Sequence, residues 1–272
     1  MESKVRFLSL NIGMKSNLAG LVTMMVDYKL DIIFLQEVKM TDEELASKIG
    51  RFGYECKVNI NIEDLSKPGT AIVWRSTLSI KEVNTLVTCR AQVALLDGYA
   101  LLNVYAPSGS DKKYERGAFF SQELFRAFYL HPEAKWIVGG DFNCVLQRSD
   151  VENGTGFDQK KCPQLADLVS VKNLQDVFRS KYPRVREYTF FRTSAAPSRL
   201  DRYYLPMNIV QKVEQVKHVA SLSDHCGIFM EVFLDIGVAA KPPRVGRQTY
   251  WKLNNSILKE DEFLGNFADL WC

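Results

Sequence analysis

The sequence predicts an α/β protein whose strands form either one mixed sheet or two packed sheets. In the N-terminal part, apolar runs alternate with a segment of helical period, and polar residues follow each apolar run. From about Gly53 to Pro107 the pattern changes to short apolar runs separated by turn residues, which is typical of antiparallel strands. Antiparallel strands inside an α/β frame favour a mixed sheet or two sheets packed face to face.

The first fifty residues predict the order strand, helix, strand, helix. Residues 5–12 and 31–37 are apolar enough to form nearly buried strands. Apolar side chains at helical spacing predict a helix between these strands, and they are Leu18, Leu21, Val22, Met25 and Val26. Thr41 predicts the N-cap of a second helix, because three acidic residues follow it.

The remainder of the chain predicts mainly strands. They cover residues 54–59, 70–74, 78–86, 92–96, 99–105, 135–141, 188–192, 199–205 and 226–234. Helical spacing is present at 119–128 and around 165–171. Residues 193–198 are small and include Pro197, so we expect a slim loop that joins two strands.

The composition excludes several classes of protein. Hydrophobic residues make up 46% and charged residues 25%, which is ordinary for a globular protein with a sizeable core. No apolar run reaches the ~18 residues that a membrane-spanning helix needs. The six cysteines show no CxxC spacing and predict reduced thiols in a soluble intracellular protein. Because the net charge is only +3, affinity for nucleic acid must come from local basic clusters.

Polar side chains mark the ends of the predicted strands. They are Asn11, Glu37, Tyr105, Asp141, Asn143, Asp201, Asp224 and His225. Asp141 and Asn143 are two residues apart, so on a strand they project from one face. Gly139 and Gly140, which precede them, allow close approach of a ligand or another backbone.

Each of these residues also has an ordinary structural explanation. Asp141 and Asn143 are common in turns, and Glu37 is a plausible helix cap. Asp201 has Arg199 and Arg202 as neighbours for an ion pair, and a lone histidine such as His225 is more often a core residue than a ligand. What favours a functional site is the recurrence of polar residues at so many strand ends.

The ordered motifs resemble those of the endonuclease/exonuclease/phosphatase superfamily. They are Leu8-Ser9-Leu10-Asn11, Phe34-Leu35-Gln36-Glu37, Asn103-Val104-Tyr105-Ala106-Pro107, Gly140-Asp141-Phe142-Asn143, Ser198-Arg199-Leu200-Asp201 and Ser223-Asp224-His225. The resemblance covers residues 5 to about 234. Within the superfamily, Tyr188-Thr189-Phe190-Phe191 and residues 250–255 look like the N-terminal AP-endonuclease-like domain of non-LTR (LINE-type) retrotransposon polyproteins.

The resemblance implies a fold and a cofactor. The fold is a four-layer α/β sandwich of the DNase I-like type, with two packed, mainly antiparallel sheets flanked by helices. The cofactor is Mg²⁺, with Mn²⁺ as a substitute, held by Glu37 with the support of Asn11. Gly13 departs from the pattern, because the AP-endonuclease branch has a metal-binding aspartate there.

The resemblance also implies catalytic roles for six residues. Asp141 is the general base for the attacking water, and Asn143 orients water or phosphate. His225 contacts the scissile phosphate while Asp201 holds its imidazole in one tautomer. Tyr105 hydrogen-bonds a phosphate oxygen, and Asp224 supports the metal or the water.

Contacts with double-stranded DNA are expected from loops and from the segment around 188–199. The predicted DNA-binding residues are Lys112, Lys113, Arg148, Thr189, Arg192, Thr193, Ser194, Ser198 and Arg199. Basic residues that cluster in loops predict salt-sensitive binding; they are Lys112, Lys113, Arg116, Arg148, Lys160, Lys161 and Arg192. The loop at 193–198 is expected to enter a minor groove and to influence target choice.

Three functions remain open at the level of sequence. The favoured one is a DNA-nicking endonuclease that leaves a 3′-hydroxyl for target-primed reverse transcription in the nucleus. The second is an inositol-polyphosphate or phospholipid phosphodiesterase or phosphatase, ranked lower because that branch has Trp-Cys-Asp-Arg where this chain has Arg199-Leu200-Asp201-Arg202. The third is an inactive DNA-binding module.

The predicted domain organisation is an endonuclease domain at residues 1–236, followed by a different region at 237–272. Residues 237–248 are rich in Gly, Pro, Lys and Arg, which is typical of a linker. Residues 251–271 have helical spacing and no remaining partner, so we expect a sequence cut from a longer polypeptide that continues with a reverse transcriptase. The isolated domain is expected to be a monomer.

Overall fold

The computed structural model describes residues 2–14 and 18–237. The predicted linker from residue 238 onward, the motif at 250–255 and the helix predicted at 251–271 lie outside the described residues. Within the described part, no helix combines the length and the hydropathy needed to cross a membrane.

The first sheet has six strands in the order β13-β14-β1-β2-β4-β3. Its strands are β1 (Glu2–Asn11), β2 (Ile32–Val38), β3 (Tyr54–Asn59), β4 (Gly69–Arg75), β13 (Val213–Val219) and β14 (Gly227–Asp235). The β1 and β2 strands pair in parallel, and every other neighbouring pair is antiparallel.

The second sheet also has six strands, in the order β5-β6-β7-β8-β12-β9. They are β5 (Glu82–Val87), β6 (Ala91–Leu96), β7 (Tyr99–Tyr105), β8 (Lys135–Asp141), β9 (Leu174–Asp176) and β12 (Asp201–Pro206). Again one pair, β7 with β8, is parallel and the others are antiparallel. A separate hairpin consists of β10 (Phe190–Arg192) and β11 (Ala195–Ser198).

Helices lie between the strands in sequence. They are α1 (Ala19–Asp27), α2 (Asp42–Ile49), α3 (Lys113–Ala118), α4 (Phe125–Ala127), α5 (Phe157–Lys160), α6 (Pro163–Val171), α7 (Val177–Lys181) and α8 (Met207–Val210). A π-helical segment, Phe119–Leu124, joins α3 to α4. Thr41 caps α2 by accepting a hydrogen bond from the Glu44 N–H, while the Glu44 side chain accepts from the Thr41 N–H.

Three hydrophobic layers hold the sandwich together. Between the sheets, Phe7 and Phe34 of the first sheet pack against Tyr203 of the second. Outside the first sheet, α1 and α2 bury Leu21 and Leu45. A third cluster covers the outer face of the second sheet with side chains of the π-helical segment and α6. The predicted four-layer, mainly antiparallel sandwich is therefore confirmed.

Buried amides also cross between the sheets. The Gln36 Nε2 donates to Asn103 Oδ1 at 2.8 Å, and the Asn103 Nδ2 donates to the carbonyls of Leu35 and Ala71 at 3.0 and 2.9 Å. Both amide side chains are fully buried. Because buried polar groups must find specific partners, these bonds fix the register of one sheet over the other.

Several predicted boundaries were wrong. The strand predicted at 78–86 begins only at Glu82, and the strands β9 and β13 were not predicted. The predicted loop 193–198 is mostly strand, because 195–198 forms β11 and only Thr193 and Ser194 make the turn. Small residues and Pro197 hid this strand, since pairing within an isolated hairpin needs little side-chain burial.

A buried ion-pair network supports one end of the second sheet. Asp150 accepts from Arg179 at 2.8 Å, Arg199 at 2.9 Å and Arg202 at 3.2 Å, and Arg199 also reaches Asp176 at 2.6 Å. The side chains of Asp150, Arg199 and Arg202 are at most 1% exposed. Burial by itself raises the pKa of Asp150, but the charges of Arg202 and Arg199 outweigh it and hold the pKa below its usual range.

We predict that Asp150→Asn lowers the free energy of unfolding by about 3–5 kcal/mol at neutral pH, because it leaves buried guanidinium charges unpaired. The measurement is urea unfolding followed by circular dichroism. Since the folded-state pKa of Asp150 is depressed, its stabilisation is present above the unfolded carboxyl pKa and is lost as pH falls through the folded value. The difference between variant and wild type should therefore shrink in acid.

The matched control is Asp158→Asn, which removes an exposed ion pair with Lys161. It should leave the unfolding midpoint unchanged. Equal effects of the two substitutions would contradict the assignment of a structural role to the Asp150 network.

Candidate active site

One cavity of about 680 Å³ collects most of the polar strand ends. Its lining includes Glu37, Tyr105, Asn143, Asp224 and His225. Asn11, Asp141 and Asp201 lie behind these residues and are buried. Hydrogen bonds connect the two groups, so all eight side chains that the sequence predicted for catalysis or metal binding belong to one region.

The topology explains why these residues meet. In the parallel β1–β2 pair, Asn11 lies opposite Gln36, so Asn11 and Glu37 end the first sheet at the same edge. In the parallel β7–β8 pair, Tyr105 lies opposite Asp141. Each sheet therefore brings the carboxyl ends of two parallel strands to one edge, and the Asn11 Nδ2 joins the edges by donating to Asp141 Oδ2 at 3.1 Å.

An Asp–His–Asp cluster forms the buried side of the site. The Asp201 Oδ2 lies 2.9 Å from His225 Nδ1, and the His225 Nε2 lies 3.9 Å from Asp141 Oδ2. Asp201 and Asp141 are directly opposed on the antiparallel strands β12 and β8. The imidazole therefore lies between two carboxylates that would otherwise repel each other.

The electrostatics of this cluster follow from burial and proximity. Burial raises the pKa of Asp141, and the nearby charge of Asp201 raises it further, so Asp141 is a stronger base than an exposed carboxylate. For His225, burial alone lowers the pKa, but the charges of Asp201 and Asp141 raise it to about 10. His225 is therefore an imidazolium at neutral pH.

Glu37 and Asn11 form the other side of the site. The Glu37 Oε1 accepts from Asn11 Nδ2 and from the Tyr105 hydroxyl, both at 3.1 Å. Burial raises the pKa of Tyr105, and the Glu37 charge adds to this effect, so the hydroxyl keeps its proton. Arg90 stacks on the Tyr105 ring, with its guanidinium carbon 4.8 Å from the ring centre.

The donors present fit a hard divalent cation. Glu37 lines the cavity with a partly buried carboxylate. Asn11 is buried behind it and supports it, because the Asn11 Nδ2 donates to Glu37 while the Asn11 Oδ1 accepts from the Gly13 N–H. Oxygen donors of this kind suit Mg²⁺ or Mn²⁺. Asp141, Asp201 and His225 also place one ligand atom each within 4.8 Å of one another. That cluster fits a cation less well, because its imidazole is protonated and already bonded to Asp201.

Two residues of the cavity have unusual backbone conformations. Glu37 has φ of 56° and Asn143 has φ of 48°, in the left-handed region that few non-glycine residues adopt. Glu37 is the penultimate residue of β2, and Asn143 lies two residues after the end of β8. Asn143 is held by its N–H bond to Asp141 Oδ1 and by its Nδ2 bond to the Ala106 carbonyl. Strained conformations of this kind concentrate at functional sites.

The two glycines before Asp141 are required by close packing. A Cβ on Gly139 would lie 2.3 Å from the Tyr203 ring, and a Cβ on Gly140 would lie 1.9 Å from the Val104 carbonyl oxygen. Gly140 also has a φ of 144°, which L side chains rarely adopt. The glycines therefore allow β8 to pack between its neighbours, and the groups that approach them closely are protein atoms.

Six of the residues predicted to contact DNA are exposed. Arg192, Thr193 and Ser194 lie at the tip of the β10–β11 hairpin, and Lys112, Lys113 and Arg148 lie in or beside loops. Arg192 and Ser194 line the cavity. These residues therefore remain candidates for contact with a polyanion.

The other three are buried, and the prediction of direct DNA contact is corrected for them. Arg199 pairs with Asp150 and Asp176. Ser198 accepts from Lys160 at 2.6 Å and donates to the Ala196 carbonyl. Thr189 donates to Asp201 Oδ2 at 2.6 Å and accepts from the Asp201 N–H, so it orients Asp201. The short polar side chains gave no sign of this role, because it depends on the fold around Asp201.

A family model described as "Endonuclease/Exonuclease/phosphatase family" matches residues 8–225. A curated relative, the transposon TX1 uncharacterized 149 kDa protein of Xenopus laevis, is 29% identical over 178 residues, or 64% of this chain and 13% of the relative. The similarity therefore spans a small part of that relative's length.

Solved structures resemble this fold over most of its length. An AP endonuclease from Archaeoglobus fulgidus has a TM-score of 0.72 at 18% identity, covering 84% of this chain and 99% of that chain. A Neisseria 3′ phosphatase bound to a product DNA hairpin has a TM-score of 0.70 at 20% identity, with the same coverage. An AP endonuclease from Leishmania major has a TM-score of 0.69 at 19% identity, covering 84% and 87%. The predicted DNase I-like fold agrees with these neighbours.

We predict that Asp201→Asn lowers the pKa of His225, because Asp201 makes the largest favourable contribution to the imidazolium. The measurement is an NMR titration, with the resonance identified by its loss in His225→Gln. In the wild type the ring should stay protonated until pH approaches about 10. Because this folded-state pKa is raised, the associated stability is complete below the unfolded pKa of about 6.5 and is lost as pH rises through the folded value.

A control for the geometry is Thr189→Val, which leaves the Asp201 charge in place. It should shift the pKa of His225 less than Asp201→Asn does. An unchanged titration in Asp201→Asn would contradict the charge-stabilised imidazolium.

Proposed function

The chain belongs to the Endonuclease/Exonuclease/phosphatase family, and from that premise we propose that it is a divalent-metal-dependent endonuclease that nicks double-stranded DNA by hydrolysis of a phosphodiester. The observation that carries the proposal is the meeting of two acid-base groups, Asp141 and His225, with a separate carboxylate, Glu37, at one cavity. Phosphodiester hydrolysis needs a base, stabilisation of phosphate charge and help for the leaving alkoxide.

The biological setting follows the transposon relative. The relative is a transposon protein far longer than the matched part, and this similarity supports a place for this chain in a longer transposon protein. We propose that the same polypeptide carries a reverse transcriptase, with the nick's 3′-hydroxyl serving as primer for target-primed reverse transcription. The site would then act in the nucleus on chromosomal DNA. LINE-type membership and nuclear action belong to this proposal.

Glu37, supported by Asn11, would hold the divalent cation, with Mg²⁺ the natural choice for oxygen donors and Mn²⁺ a substitute. When bound, the cation supplies positive charge to phosphate oxygens. The Asn11 amide donates to Glu37 and Asp141, so it orients both carboxylates. The Tyr105 hydroxyl donates its single proton to Glu37, and it would redirect that hydrogen bond to a phosphate oxygen in the cavity when Glu37 binds the cation.

Asp141 acts as the general base for the attacking water in this mechanism. Its raised pKa brings it nearer to the operating pH, where a base accepts a proton more effectively. The Asn143 N–H holds one carboxylate oxygen, and the Asn11 amide holds the other. The Asn143 side chain donates its own N–H to Ala106, which leaves its Oδ1 to orient the water.

His225 contributes positive charge at the scissile phosphate. Its Nδ1–H donates to Asp201, so the second N–H of the imidazolium can donate to a phosphate oxygen. Thr189 and Asp201 position the ring from behind. Asp224 stands beside His225 at the cavity, 3.8 Å from Arg192 Nε, where it can support the water or metal side.

We predict that the purified protein nicks supercoiled plasmid with Mg²⁺, that EDTA abolishes nicking, and that added Mg²⁺ or Mn²⁺ restores it. Parallel reactions measure phosphate release from inositol polyphosphates and from a 3′-phosphorylated DNA end. Phosphate release without nicking would replace the proposed function with a phosphatase. Salt-sensitive DNA binding with neither activity would support an inactive binding module.

We also predict that Asp141→Ala, Glu37→Ala and His225→Ala each reduce nicking by about 100-fold or more, because each removes a group that acts at the reacting phosphate. Plasmid nicking rates measure the effect, and circular dichroism checks the fold. Asp158→Ala is the control, since that carboxylate is exposed, pairs with Lys161 and is not part of the cavity lining. Near-normal nicking by a folded variant would remove its residue from the mechanism.

A further inference from the structure

Lys160 differs from the other basic loop residues in its surroundings. Its Nζ donates to Ser198 Oγ at 2.6 Å and to the Ala196 carbonyl at 3.2 Å, and it lines the cavity that contains His225. Both oxygens are uncharged. Among the residues the structure describes, no carboxylate lies within ion-pair distance of this ammonium group.

The other six basic residues of the loops are either paired, structural or fully solvated. Arg116 is buried and donates to the Pro107 and Gly109 carbonyls. The four with polar or acidic partners are Lys112 with Glu115, Lys113 with the Asp158 carbonyl, Lys161 with Asp158 and Arg192 with Asp224. Arg148 is exposed to solvent. Arg116 also lines the cavity and has only carbonyl partners, but its side chain is buried, so among the seven Lys160 is the one that is only partly buried there.

A half-buried ammonium group without a counter-charge is unfavourable, because burial removes solvation that nothing negative replaces. Burial accordingly lowers the pKa of Lys160. An ammonium has three N–H donors, and two of them are used by Ser198 and Ala196. The third donor is free for an anion in the cavity, and such an anion would supply the missing negative charge.

We propose that Lys160 and the adjacent β11 strand form a subsite for one phosphodiester of the substrate, next to the phosphate that is cleaved. This inference rests on the proposed function and names a contact that the reaction chemistry does not require. The subsite joins α5 to the β10–β11 hairpin through Ser198 and Ala196, so a bound phosphate would lie at a fixed position relative to the hairpin tip. Lys160 would therefore set the position of the DNA strand in the cavity.

The geometry favours this role over that of a plain surface lysine. Two hydrogen bonds to β11 fix the ammonium, so little side-chain entropy remains to be lost when a phosphate binds. The alternative is that Lys160 has only a structural role and holds α5 against the β10–β11 hairpin. The two hypotheses make different predictions. If Lys160 contacts a phosphate, its effect on DNA binding depends on the charge of that one phosphate; if it is only a cross-link, its effect does not.

The test compares Lys160→Met with Lys161→Met, a neighbour with the same charge that pairs with Asp158. The substrate is a short duplex with one mapped nick site, and binding is measured in Ca²⁺ to prevent cleavage. Lys160→Met should weaken binding about 10-fold or more and reduce the slope of log affinity against log salt by about 1. Lys161→Met should weaken binding by no more than about 3-fold, because the Asp158 charge already offsets that of Lys161.

A methylphosphonate scan of the duplex then identifies the phosphate. Each phosphate is replaced in turn with a neutral methylphosphonate. At one position beside the nick, the replacement should weaken binding by the wild-type protein. At that position alone, the replacement should not weaken binding by Lys160→Met any further, because the contact is already lost. Lys160→Arg should restore most of the binding, since it keeps the charge. Urea unfolding of Lys160→Met should match the wild type.

Each remaining outcome overturns the inference. If Lys160→Met weakens binding, and if every methylphosphonate weakens binding by Lys160→Met as much as it weakens binding by the wild type, the lysine is a structural cross-link. If Lys160→Met and Lys161→Met bind equally, the subsite does not exist. If the wild-type protein neither binds nor nicks any duplex, the proposed function itself fails, and the inference fails with it.

Discussion

Two buried carboxylates face each other across neighbouring strands, and the other residues of the site offset the repulsion between them. Asp141 and Asp201 are paired in the register of β8 and β12, and each is about 1% exposed. Like charges in this position repel and lack water to screen them. The His225 imidazolium is hydrogen-bonded to Asp201 and lies 3.9 Å from Asp141, so its charge offsets both carboxylates. The Asn11 amide donates to Asp141, and the Thr189 hydroxyl donates to Asp201. Removing any of these partners therefore leaves a carboxylate underpaired.

The need to offset these two buried carboxylates also explains why residues of both sheets contribute to the site. Asp141 and Asp201 come from the second sheet, whereas Asn11 and Glu37 come from the first. The Asn11 side chain reaches across only because the sheets pack closely at this edge, where Gly139 leaves room for Tyr203 and Phe34. The buried Gln36–Asn103 bond holds the register a residue away from Glu37. A small shift between the sheets would separate the base from the residues that orient it.

Much of this arrangement could be predicted from the sequence, because strand ends carry local signals. Apolar runs that stop at Asn11, Glu37, Tyr105 and Asp141 predicted both the strands and the edge where they meet. The parts that escaped prediction depend on contacts far apart in sequence. Arg199 lies beside Asp201 in a motif that suggested DNA contact, yet it pairs with Asp150, 49 residues away. Nothing local distinguishes an arginine that binds DNA from one that neutralises a buried aspartate.

Some basic residues are paired with acids inside the protein, whereas others line the cavity. This difference explains how a chain of net charge +3 can place basic groups on the cavity wall. The buried guanidinium groups of Arg199 and Arg202 share Asp150 and Asp176, so their planar donors are largely occupied by carboxylates and carbonyl oxygens. Because these acids neutralise arginines inside the protein, they do not oppose the basic groups at the surface. The cationic character of the cavity then depends on a few side chains. Among those that line it, the half-buried Lys160 and the buried Arg116 are both held by neutral oxygens. A modest net charge is therefore compatible with basic groups at the cavity, because the charges of Asp150 and Asp176 are neutralised by arginines inside the protein.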